Sequence, residues 1–206
     1  MYAIQNTLRI IATISGMVVI LAALASVLLQ SKREKSHSIG TGPSVRRWPA
    51  VIMVTIILLI IGYIFWKPLP VHMLINTEYL LTWIGFVIYI PAVLLYLSGL
   101  LTLGKYFGVS STQGADLYSG HQLVKKGPFR YVRHPMYLAV ILASIGAFLI
   151  FRTWAMLIFL PMSTVVIRRA SQEEKLLETA FGDEWRSYVK NVRKWIPCAF
   201  RKNDTT

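Results

Sequence analysis

Cysteine is almost absent: Cys198 stands alone among 206 residues. A lone thiol excludes an internal disulfide framework and cannot by itself build a thiolate metal cluster. Its setting, CAFRKNDTT, also fails a C-terminal prenylation pattern, which requires the cysteine fourth from the end. Acidic residues are scarce, with 9 Asp and Glu against 22 Lys and Arg. The histidines His37, His72, His121 and His134 are widely separated and lack ligand spacing, so no metal is expected. No Gly-x-Ser-x-Gly elbow is present, which argues against a Ser-His-Asp hydrolase. The Gly-Thr-Gly at 40–42 has neither a strand before it nor a regular helix after it, so a dinucleotide fold does not follow.

What the chain has in abundance is apolar length. Hydrophobic residues make up 55% and charged residues 15%, and the mean hydropathy is +0.53, values that belong to an integral membrane protein. A bilayer core of about 30 Å takes about 20 apolar residues in a helix. Segments 7–29, 49–66, 79–103, 135–151 and 153–167 approach or meet that length. The first has too long an apolar core for a signal peptide and reads as a retained anchor. The expected fold is therefore an all-α integral membrane protein of about five transmembrane helices, the last two forming a C-terminal helical hairpin.

A net charge of +13 would suggest nucleic acid on a soluble domain. Position decides otherwise. With the first loop (30–48) placed inside, only Arg9, Lys67 and Arg152 lie on or near the other side, 3 of 22 cations, leaving 19 inside. That is the positive-inside pattern, and it predicts an external N-terminus and a cytoplasmic C-terminus. Anionic headgroups account for the basic belt, so membrane lipids and not nucleic acid are the expected partners. No obligate protein partner is evident.

Between the segments, residues 30–48 read as a polar linker and 67–78 as a short external loop. Pro91 interrupts the third segment and usually marks a kink. The connection 104–134, punctuated by five glycines, is too long to be idle and should fold over something. Residues 170–195 are helix-rich and amphipathic with a break at Gly182. Leu176, Leu177, Phe181, Trp185, Tyr188 and Trp195 form an apolar face for the membrane or the hairpin mouth.

At that mouth Pro135 suits a first helical position, placing His134 at the helix entrance and Tyr137 one turn in, on the same face. Arg169 and Glu173, spaced i,i+4, share a face of the returning helix. From spacing alone these residues serve equally well in a plainer role. Arg130, Arg133, Arg168 and Arg169 can anchor helix ends among headgroups, His134 can cap, and Tyr137 can belong to an aromatic belt. Arg169 and Glu173 can be an ordinary helix pair, although Arg before Glu is the less favourable order.

The stretch GHQLVKKGPFRYVRHPMYLA, followed some thirty residues later by RRASQEEKLLETAFGDEWRSYVKNVRKWIP, resembles the isoprenylcysteine carboxyl methyltransferase family over about residues 104–197. The related phospholipid methyltransferases share a similar C-terminal core. The resemblance implies an integral membrane enzyme with a cytoplasmic cofactor-binding region for S-adenosylmethionine, leaving S-adenosylhomocysteine, and a lipophilic or prenylated acceptor. It divides the chain into 1–103, three membrane helices on the substrate side, and 104–206, the methyltransferase core. His121, Gln122, Leu123 and Val124 match the family segment that binds the adenosyl part. Phe129 stands where the family often has Tyr. His134, Pro135, Met136 and Tyr137 match the second cofactor-binding run, and Glu173 a cofactor-contacting acid. Gln113 matches an upstream cofactor-contacting Gln with the loop shifted by one residue. Arg169 matches the arginine associated with the substrate carboxylate. Ala139 replaces a frequent Gly, and Ser171 and Gln172 replace acids found in some relatives. The rival readings are a phospholipid amine or another small lipophilic acceptor, for which Glu174 or His121 would serve as base, and a non-catalytic scaffold or small transporter.

Overall fold

The computed structural model describes residues 2–37, 48–71, 73–104 and 122–196. Among these the architecture is all helical: α1 Tyr2–His37, α2 Trp48–Ile64, α3 Ile75–Leu103, α4 Pro135–Phe151, α5 Trp154–Ser163 and α6 Val165–Asn191, with a 3-10 turn Gly127–Arg130 before α4. The sequence Tyr2–Ser26 within α1 and all of α3 are long and apolar enough to cross a membrane. Large apolar side chains cover the outside of α2 and α3. Leu59, Val87 and Leu94 are all about 60% exposed and Leu101 is 81% exposed, a surface that is stable against lipid and costly against water.

The packing centre is the crossing of α3 on α4. Gly85 and Gly146 face each other so closely that a Cβ on Gly85 would lie 2.7 Å from the Gly146 carbonyl oxygen, and one on Gly146 2.8 Å from that of Gly85. Between membrane helices, where lipid is as apolar as leucine, such small residues allow the backbone approach that supplies the packing energy. Ala12, Tyr89, Val93 and Ile150 form the buried core beside this crossing. The Tyr89 hydroxyl donates to the Ala12 carbonyl at 3.1 Å and pins α1 to α3. Gly85→Ala is expected to cost about 1–3 kcal/mol, because rigid backbone must shift. Gly99→Ala would meet Met136 Cγ at 2.6 Å, a buried side chain rather than backbone, and is expected to cost no more than Gly85→Ala; unfolding in mixed micelles compares the two.

Two expectations need correction. Helix α1 runs on to His37 through SKREKSH, residues 31–37, which had been read as linker; Lys, Arg and Glu are good helix formers, and nothing there stops the helix. The segment expected at 153–167 breaks after Ser163, leaving α5 at ten residues, and the last helix already begins at Val165. Pro161 removes a backbone donor there. The Ser163 and Thr164 hydroxyls turn back onto the carbonyls of Leu160 and Pro161, competing with a continued ladder. Pro91 lies inside α3.

The segment after α2 ties to the α4–α5 corner: Leu69 donates to the Arg152 carbonyl at 2.9 Å, and Trp154 to that of Lys67 at 3.0 Å. The opposite end of the bundle carries His134 at the N-terminus of α4. Residues 122–132 do fold over something. Leu123 packs on the cluster of Trp185, Tyr188 and Val192, joined by Leu177 and Phe181. Leu123 thus covers part of the apolar face of the last helix. Gly182, at φ 48° and ψ −116°, breaks α6 as its position predicted.

Candidate functional site

Local sequence places the first wall. Pro135 opens α4 with its fixed φ, and His134 holds the N-cap position without a side-chain capping bond. Its ring is only 5% exposed and lies parallel to that of Tyr137, with centroids 5.5 Å apart. Trp195 leans on His134 at 5.8 Å.

The second wall comes from α6. Glu174 Oε1 lies 3.2 Å from His134 Nε2 and 3.4 Å from an Arg133 guanidinium nitrogen; its Oε2 accepts from Lys194 Nζ at 2.9 Å. Burial alone would push the Glu174 carboxyl up, but the hydrogen bonds from His134 and Lys194 and the charge of Arg133 outweigh it and hold it down at about 2. Glu174 is then an ionised acceptor at neutral pH, so His134 Nε2 carries the proton and donates it. Nδ1 is left turned toward Glu173 Oε2 at 3.9 Å. The Arg133 guanidinium stands 5.9 Å over the Trp185 ring, and its Nε is buried without a partner among the described residues.

A strap closes the arrangement. After α6 the chain runs beside residues 132–134: Arg133 donates its backbone N–H to the Arg193 carbonyl at 2.9 Å and His134 to that of Lys194 at 3.4 Å. Tyr188 donates its hydroxyl to the Phe129 carbonyl at 2.6 Å, and burial pushes that phenol up to about 12 against the lesser opposing pull of Arg133. Because Glu174 is held below its ordinary 4.5, its contribution to docking the strap is complete above about pH 4.5 and is lost as pH falls through about 2. Acid titration of Trp185 and Trp195 fluorescence should show this strap loosening in that window, and Glu174→Gln should remove that transition.

The structure thus brings together His134, Tyr137 and Glu173. Pro135 and Met136 are buried; Met136 lies against Gly99 of α3 and so holds the helix more than it lines the site. Leu123 and Val124 are half-buried, Gln122 is exposed and Phe129 is half-buried. Gln113 and His121 lie outside the described residues. Three of the plainer roles are not seen among the described residues: His134 makes no side-chain capping bond, Arg133 is bonded inward, and Arg169 and Glu173 form no ion pair, whereas Arg130, Arg168 and Arg169 are exposed, as headgroup anchors would be. Arg169 is exposed and makes no hydrogen bond or ion pair among the described residues. Sequence reasoning centred on Glu173 and gave Glu174 only a conditional role; Arg133, Lys194 and Trp195 were missed as site residues. The adjacent Glu173–Glu174 pair was the one available signal.

A half-buried polar cluster at one end of an apolar helical bundle is the arrangement of a candidate site in a membrane protein. Comparison with known proteins specifies it. The phospholipid methyltransferase family model matches residues 79–184, and the chain belongs to that family: it is a membrane methyltransferase. It is 28% identical to a methanethiol S-methyltransferase of Pseudomonas deceptionensis over 89% of this chain and 75% of that one. With a protein-S-isoprenylcysteine O-methyltransferase of Schizosaccharomyces pombe it shares 30% identity over 48% of this chain and 47% of the other. Its fold is similar to that of a eukaryotic intramembrane Ras methyltransferase, an isoprenylcysteine carboxyl methyltransferase, with a TM-score of 0.51 and 24% identity over 79% of this chain and 55% of that one. The chain spans about half the length of the latter two. The resemblance first read from residues 104–197 holds, and the match reaches back into α3.

Proposed function

We propose that the chain transfers a methyl group from S-adenosylmethionine to the carboxylate of a lipophilic, isoprenylcysteine-like acceptor, yielding a methyl ester and S-adenosylhomocysteine. When bound, the cofactor supplies an electrophilic methyl on a sulfonium. The side chains present fit it: Glu173 offers a half-exposed carboxylate to a cationic amine, Arg133 Nε is a buried donor without a partner among the described residues, and the rings of His134, Tyr137 and Trp195 suit a sulfonium. Residues 122–124 and 129 complete the cofactor side, together with Gln113 and His121.

One observation carries the acceptor assignment. Arg169 stands exposed one helical turn from Glu173, a permanently charged fork without a hydrogen-bond or ion-pair partner among the described residues. A carboxylate is already ionised at neutral pH, so the protein needs to position it and not to deprotonate it. In this reading about five membrane segments place the N-terminus outside and the site and C-terminus in the cytoplasm. Residues 1–103 shape the lipid-side entrance, residues 104–206 form the transfer core, and α3 packs across both.

A second reading is a thiol or other small acceptor, favoured by the relative that matches 89% of the chain. Incubating the purified protein with methyl-labelled cofactor and either an S-prenylated N-acylcysteine or a simple alkyl thiol separates the two. A base-labile methyl ester is the expected product; label found only in base-stable thioether would overturn the carboxylate reading.

A further inference from the structure

At the C-terminus of α4, roughly 25 Å from His134 for a helix of this length, lies a cavity of about 200 Å³ lined by Arg9, Pro68, Leu69, Met73, Glu78 and Arg152 among others. It takes no part in the methyl-transfer site. Arg9 and Arg152 are two of the three cations that the charge pattern assigned to this side, and their charges are close enough to repel.

Neither arginine is satisfied. Arg9 Nε and one terminal nitrogen of Arg152 are buried without a hydrogen-bond partner among the described residues. The other terminal nitrogen of Arg152 donates to the Leu149 carbonyl at 2.7 Å and the Thr82 hydroxyl at 3.3 Å. Glu78 lines the cavity, yet its carboxylate pairs with neither arginine; only its backbone carbonyl approaches Arg152, at 3.5 Å. Arg152 also caps α4 at φ 50°, where glycine or asparagine is the easier residue. The turn alone does not account for an arginine. Burying an unpaired guanidinium costs free energy, and two facing each other cost more.

An anion would complete this arrangement. Two permanent cations and one carboxylate leave an excess of one positive charge, which one monoanion neutralises. A phosphodiester carries one negative charge and two free oxygens, one for each guanidinium. The surroundings favour a lipid over a soluble anion. Phe151, in the cavity wall, packs on Trp66 at 5.3 Å, an aromatic residue type that settles at headgroup level. Below Arg9, α1 presents Ile10, Ile14 and Met17, each 58% exposed, as a surface for acyl chains.

We propose that this cavity binds the phosphodiester of a phospholipid headgroup between Arg9 and Arg152. The test is thermal unfolding of the full chain in detergent, titrated at constant ionic strength with dihexanoylphosphatidylglycerol, dihexanoylglycerol or inorganic phosphate. A saturable rise of the midpoint is expected with the phospholipid alone. Arg9→Gln should weaken the apparent affinity at least about tenfold, the loss of one charged hydrogen bond. Glu78→Gln should strengthen it several-fold by removing the competing carboxylate, an opposite sign that a merely structural role does not produce. Arg152 caps α4, so its replacement mixes folding with binding; Arg9 has no hydrogen bond to lose among the described residues, and it and Glu78 carry the test. An equal response to inorganic phosphate overturns the lipid assignment. So does a phospholipid response left unchanged by both variants, or none in the wild type.

Discussion

Glu174→Ala is expected to cost about 2–3 kcal/mol of stability and most of the methyl-transfer activity. Removing one partner of a buried charge network typically costs about 3–5 kcal/mol because the remaining charges are stranded. The Glu174 side chain keeps 19% exposure, so water can partly resolvate Arg133 and Lys194, and the lower figure applies. His134 would lose the acceptor that fixes its tautomer, and Lys194 the contact that holds the strap against residues 132–134. Glu174→Gln preserves one acceptor oxygen without the charge and should fall between the two. Denaturant unfolding followed by tryptophan fluorescence gives the stability, and a double-mutant cycle with Lys194→Met gives the pairwise part. Should Glu174→Ala melt with the wild type, the network would be ornamental.

Arg169→Ala should slow single-turnover methyl transfer by about 10- to 150-fold, the equivalent of one charged hydrogen bond at roughly 1.5–3 kcal/mol, while leaving cofactor affinity nearly unchanged. The separation follows from its position: among the described residues Arg169 makes no hydrogen bond or ion pair to His134 or Glu173, so its removal takes no such bond from the cluster assigned to the cofactor. It is exposed and makes no hydrogen bond or ion pair among the described residues, so its removal is expected to leave stability nearly unchanged. Lys restores the charge and not the planar fork, so Arg169→Lys should recover only part of the rate. Calorimetric cofactor binding beside rapid-quench turnover, using an S-prenylated N-acylcysteine, measures both. Loss of cofactor binding with normal turnover at saturating cofactor would move Arg169 into the cofactor site.

The polar end of the bundle was legible because its signals are local. Pro135 must begin a helix, His134 must then sit at its mouth, and Tyr137 must share its face, whatever the rest of the chain does. Glu173 and Glu174 show the limit of that reasoning. They are neighbours about 100° apart on α6, and only the rotation of that helix decides which one meets His134 closely. Leu177 and Phe181, on the same side of the Gly182 break as Glu174, pack with Leu123 on the cluster of Trp185, Tyr188 and Val192, which brings together residues more than fifty positions apart in sequence. Lys194 and Trp195 join the site only because the strap doubles back beside Val132.

By itself the sequence determined the membrane class, the uneven placement of cations and the motif at the mouth of α4, since apolar length, charge order and proline geometry are properties of contiguous residues. The tertiary structure alone decided that Gly85 meets Gly146, that Glu174 meets Arg133, His134 and Lys194, that Arg169 is exposed, and that Arg9 reaches the cavity of Arg152. Each of these depends on how helices distant in the chain are rotated and spaced against one another, and that is settled by the packing of the whole bundle.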